Sequence, residues 1–100
     1  PVIGSLLFYH RLMDEQQNPL KFPCDFPIKA MGRIDSGCEV RALEIVRQHV
    51  PDFDAAHMQS RLSRNGNYLS VTFTIRATSR EQLDAIYRGL SSCEEMLMVL

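Results

Sequence analysis

The sequence predicts an α+β fold: a two-layer ferredoxin-like βαββαβ sandwich. A four-stranded antiparallel sheet in the order 4-1-3-2 would carry two helices on one face. Three observations predict it. Residues 68–78 alternate polar and apolar side chains, the mark of a strand with one buried face. Two segments near Ser36 and Ser79 carry apolar residues at helical spacing behind capping signals. The elements run strand, helix, strand, strand, helix, strand, the split βαβ order.

The elements follow in turn. In Phe22-Pro23-Cys24-Asp25-Phe26-Pro27 two prolines exclude helix and hold the preceding residues extended. The first strand is read over 27–31, with Ile28 and Ala30 on one face, Lys29 and Met31 on the other, and Gly32 ending it. The first helix is expected to begin near Ser36, which has capping-box spacing to Glu39. Its apolar stripe is read as Val40, Leu43, Val46 and Val50, and Pro51 stops it. The second strand, around His57 to Ser63, is the least regularly patterned. Asn65-Gly66 then marks a hairpin, because both residues tolerate positive φ. In the third strand Leu69, Val71, Phe73, Ile75 and Ala77 share one face. The second helix starts at Thr78 or Ser79, with Glu81 or Gln82 completing a capping box. It buries Leu83, Ile86, Tyr87 and Leu90. The final run, Met96 to Leu100, reads as the fourth strand.

The chain has 100 residues, 45% of them hydrophobic, enough for one core and not for two. Residues 20–100 are assigned to this domain. Residues 1–19 are read as a leader: an apolar stretch, Val2 to Tyr9, then the polar 13–18 and Pro19. Either Met13 is the native start, or the apolar stretch packs as an extra arm. No run reaches the roughly 20 apolar residues of a membrane-spanning helix, and no membrane association is expected. The net charge is −1, from 11 basic and 12 acidic residues. That balance disfavours a dedicated nucleic-acid binder, although Arg61 and Arg64 form a local basic pair on the hairpin. Cys24, Cys38 and Cys93 are odd in number and widely spaced, and they read as reduced thiols of a cytoplasmic protein.

No active-site motif emerges. The cysteines and His10, His49 and His57 lack the close spacing of a zinc site, so neither metal nor cofactor is expected. Cys38, in the first turn of the first helix, has a position that can stabilise a thiolate, but Glu39 beside it opposes this. The acidic pairs Glu94-Glu95, Asp52 with Asp54, and Glu81 with Asp84 read as solvated groups. Gly32 and Gly37 match no phosphate-loop pattern, though amides at the start of the first helix can face an anion.

Several segments resemble one family. Phe22-Pro23-x-x-Phe26-Pro27-x-Lys29-x-Met31-Gly32, Gly66-Asn67-Tyr68-x-Ser70-Val71-Thr72-x-Thr74-Ile75, Ser79-x-Glu81-Gln82-Leu83 and Met98-Val99-Leu100 are similar to the small bacterial YbeD-like proteins. The match runs from about Leu20 to Leu100, and nothing before Met13 has a counterpart in it. The resemblance implies an ACT-like, ferredoxin-type fold, like the regulatory domains of amino-acid enzymes. It implies no established activity, and only a genomic hint of lipoate metabolism. By analogy with ACT domains, which often bind effectors at the first strand–helix loop and a dimer interface, a ligand site falls on Gly32, Arg33, Asp35, Ser36 and Gly37.

The strand pattern offers a second surface. Lys29, Met31, Tyr68, Thr72, Thr74 and Arg76 should project from the open sheet face, to meet a partner or a ligand. The combined expectation is a non-catalytic regulatory or interaction module. It would form a homo-oligomer and recognise a small-molecule effector or a protein partner. The alternative is single-stranded RNA on the open face, where Tyr68 is the one aromatic available for stacking.

Overall fold

The structure, a computed structural model, describes residues 21–100. The expectations for the leader, the Met13 start and Leu20 lie outside the described residues. The described elements are β1 (Cys24–Arg33), α1 (Cys38–His49), a 3-10 turn (Ala55–His57), β2 (Met58–Leu62), β3 (Tyr68–Ala77), α2 (Arg80–Ser91) and β4 (Met98–Val99). They form one antiparallel sheet in the order β2-β3-β1-β4. This is the order inferred from the sequence, read from the opposite edge.

β1 and β3 pair along their full length, from Cys24 opposite Ala77 to Arg33 opposite Tyr68. β1 is longer at both ends than the pattern indicates. Pro27 sits inside it at no cost to the ladder. Its neighbour in phase, Lys29, exchanges both backbone bonds with Leu100 on the β4 side. Position 27 points the same way, beyond the end of β4, so its missing N–H is not needed there. Gly32 does not end the strand. It is a buried strand residue, and a Cβ there would meet the Glu95 carbonyl oxygen at 2.5 Å and the Cys38 Cβ at 2.6 Å.

The core lies between the sheet and the helices. Ile28 and Ala30 of β1 meet Val71, Phe73, Ile75 and Ala77 of β3, with Val99 from β4. Phe53 closes one end, its ring tilted at 59° and 5.7 Å from that of Phe73, a favourable aromatic geometry. α2 contributes Leu83, Ile86, Tyr87 and Leu90, as its spacing predicts. Its cap is Ser79, whose hydroxyl accepts from the Gln82 amide. Gln82 Oε1 accepts from the Thr78 amide at 2.8 Å. Its Nε2 donates to the His49 carbonyl and ties the end of α1 to the start of α2.

α1 departs from its sequence reading. It buries Cys38, Ala42, Ile45 and Val46. Leu43 and Val50 are only partly buried, and Val40 is 64% exposed. The helix begins two residues later than expected, because Gly37 at its N-cap is left-handed, with φ 75°. Ser36 therefore makes no capping box with Glu39. Its hydroxyl donates to the Arg33 carbonyl at 2.7 Å and holds the turn between β1 and α1. The hairpin also differs in detail. Gly66 alone takes positive φ, while Asn65 acts through its side chain, which accepts from the Ser63 hydroxyl and the Asn67 amide.

Candidate functional site

The two loops at one end of the central strands build a shallow pocket of about 420 Å³, lined by Arg33, Ile34, Asp35, Ser36, Asn67 and Tyr68. Its walls are fixed by local chemistry. The Asn65 side chain sets the hairpin turn, and the Ser63 hydroxyl accepts from the Tyr68 amide at 3.1 Å. The Asn67 carbonyl accepts from the Ile34 amide at 3.0 Å, bolting the hairpin to the β1–α1 turn. Register places Arg33 directly across from Tyr68. Arg33, Asp35 and Ser36, named from the loop, thus meet Tyr68, named from the sheet face, at one site. Asn67 was missed, because a turn residue beside Asn65-Gly66 carries no signal of its own. Gly32 and Gly37 do not line the pocket. Gly32 lies in β1 beneath the helix, and Gly37 opens α1.

The rest of the open-face set shares the helix-free side of the sheet. Strand alternation places Asp25, Pro27, Lys29, Met31 and Arg33 of β1 there, with Tyr68, Ser70, Thr72, Thr74 and Arg76 of β3. Gln59 and Arg61 of β2 join them, opposite Thr72 and Ser70. Lys29, Thr74 and Arg76 are exposed; Met31, Tyr68 and Thr72 are half-buried. Arg76 pairs with Asp25 at 3.3 Å. A groove of about 560 Å³ runs between Lys29 and Arg61 over Ser70 and Thr72. Ser70 shares the polar face of β3 with Tyr68, Thr72 and Thr74, whereas Gln59 was missed, because β2 is short and weakly patterned and its phase becomes visible only through its pairing with β3.

The other candidates carry less. The Cys38 thiol is buried behind Gly32 and donates only to the Arg33 carbonyl, at 3.8 Å. A nucleophile there has no approach for a substrate. All three cysteines are free thiols. Among the described residues no three His, Cys, Asp or Glu side chains gather as a metal site. A cleft of about 400 Å³ near the helix ends includes Arg41, Gln48, Cys93 and Glu95. Arg41 is held by the Glu44 carboxylate at 3.0 Å, which raises its pKa. Burial pushes Tyr87 up to about 12, but Tyr87 belongs to the core. No helix among the described residues is long and apolar enough to cross a membrane.

Comparison with known proteins places this site in context. The family model described as "Protein of unknown function (DUF493)" matches residues 17–100. A UPF0250 protein of Nitrosomonas europaea is 46% identical over 85 residues, covering 85% of this chain and 98% of that protein. One of Neisseria gonorrhoeae is 44% identical over 91 residues, covering 88% and 100%. The solution structure of protein HP0495 from H. pylori superposes with a TM-score of 0.67 at 13% identity, over 87% of this chain and 91% of that one. At that identity the likeness shows the fold alone. The matching family model and these relatives agree with the strand and turn motifs that resembled YbeD-like proteins: the chain belongs to the DUF493/UPF0250 family of small bacterial proteins.

Proposed function

We propose that this protein is a small regulatory module without catalytic activity, which binds a small polar effector in the pocket between the β1–α1 turn and the hairpin. One observation carries the reading. Arg33 and Asp35, of opposite charge, line the same pocket as the hydroxyl-bearing Ser36 and Tyr68. Such a rim suits a zwitterionic molecule such as a free amino acid, with its carboxylate toward Arg33 and its ammonium toward Asp35. The hydrogen-bonded loops supply a preformed wall, which lowers the ordering cost of binding.

A thermal-shift screen of amino acids, lipoate and nucleotides tests this. A ligand at 100 times its Kd stabilises by about 2.7 kcal/mol, a rise of several degrees for a domain of this size. The rise should vanish in Arg33→Ala and Asp35→Ala, both exposed positions whose loss leaves the core intact. A flat screen across all classes overturns the reading.

The module works as a homo-oligomer through the outer edge of β2. Ser63 and Tyr68 are bonded across the hairpin, so by alternation Ser60 and Leu62 direct both backbone groups outward, and Met58 its carbonyl, the Met58 N–H being taken by the Ala55 carbonyl. That row is a template for a second strand. Two buried thiols and one half-buried fit a reducing cytoplasm.

A further inference from the structure

We propose that the open sheet face carries a second ligand site, a phosphate-binding groove between Lys29 and Arg61 that is separate from the effector pocket. The chain as a whole is slightly acidic, with a net charge of −1. Its helix-free face is not. Among the described residues, the strand register puts Lys29, Arg33, Arg61 and Arg76 on that face against the single strand carboxylate of Asp25, and Asp25 is taken up by Arg76. Among the described residues neither Lys29 nor Arg61 has an ion-pair partner.

The arrangement of the two cations selects the ligand. Lys29 of β1 lies opposite Thr72, and Arg61 of β2 lies opposite Ser70. β3 runs between them, so the two long side chains flank its hydroxyls from opposite sides. Gln59 completes the row beside Thr72. A carboxylate presents two oxygens in one plane and is satisfied by a single arginine fork. A phosphate presents three oxygens in three directions. It matches an ammonium on one flank, a guanidinium on the other and two hydroxyls beneath. The groove, at about 560 Å³, is within the size range of small-molecule sites. The face has no aromatic platform along the middle of β1 or β3, and Tyr68 lies at a strand end. Stacked single-stranded RNA therefore fits it less well than a free phosphate compound.

The test is a titration of the ¹⁵N-labelled full chain with inorganic pyrophosphate at fixed ionic strength, followed by amide chemical shifts. The expected result is saturable movement of Lys29, Arg61, Ser70 and Thr72. The apparent Kd should weaken at least tenfold in Lys29→Gln/Arg61→Gln and severalfold in Thr72→Val, with unchanged thermal midpoints. Acetate at equal ionic strength should leave these amides in place, and Arg33→Ala should bind pyrophosphate normally. Shifts that fail to saturate, or that persist in the double variant, overturn the proposal. So does movement confined to Arg33 and Asn67. Tight binding of oligouridylate with no response to pyrophosphate overturns it in favour of RNA.

Discussion

A methyl group at position 32 would need space that the Glu95 carbonyl and the Cys38 side chain already fill. The obstacle is largely backbone and a core thiol, which cannot swing aside. Gly32→Ala should therefore destabilise the fold by about 1–3 kcal/mol, seen as a lower urea midpoint at unchanged slope. An unaltered midpoint would mean that the β1–α1 junction is looser than described. Tyr87 supplies a pH dependence. Burial raises its pKa to about 12 from 10.0, so the folded state holds this proton more tightly than the unfolded chain does. The resulting stability is fully present below pH 10 and is lost as pH rises from about 10 to about 12. Its size is on the order of 2 kcal/mol. In Tyr87→Phe the fall in stability over that window should be shallower, measured by urea unfolding at a series of alkaline pH values. An identical slope in the two proteins would deny the tyrosine this role.

At the level of elements, legibility followed the strength of the repeating pattern. β3 and α2 have large apolar residues at strict period and standard caps, and both were readable residue by residue. α1 was found, but its face was not. Its buried stripe is made of Cys38, Ala42, Ile45 and Val46, and small residues such as Ala42 give little amphipathic signal. Val40 satisfies the period by eye yet points to solvent. Ser36 and Glu39 offered a cap that tertiary structure overrode, because Gly37 turns the chain before the first helical residue. The limits of β1 were misread for a related reason: a glycine in a strand normally marks an end, whereas Gly32 is there for helix contact. The candidate site was half legible. The Arg33–Ser36 turn and Tyr68 could each be named, but their meeting depends on register, which no local pattern in the sequence fixes. Arg61 and Lys29 likewise face one groove only because Leu62 pairs with Leu69.

Across the whole molecule, the layers are unevenly covered. The helices shield β1 and β3, while β2 extends past them with Ser60 and Leu62 exposed on the helix side. Leu62 is 55% exposed, an apolar side chain on an open strand edge. The edge is complementary to itself. An antiparallel copy centred on Ser60 sets Met58 opposite Leu62 on the helix side and Gln59 opposite Arg61 on the open face. No like charges oppose each other in that register. Ser60 exchanges both backbone bonds with its own copy, and each Leu62 N–H meets a Met58 carbonyl, while the Met58 N–H stays with the Ala55 carbonyl. Two sheets joined this way would form one continuous eight-stranded layer. Light scattering during size exclusion at tens of micromolar should then report twice the chain mass. Ser60→Pro removes an N–H that faces outward and leaves the bonds to β3 in place, so it should convert the dimer to a folded monomer with an unchanged far-UV spectrum. A wild-type protein that elutes as a monomer at these concentrations would sink the edge-to-edge assembly. A Ser60→Pro variant that still dimerises would move the interface away from β2, to the exposed Met98 of β4 and Leu100 just after it.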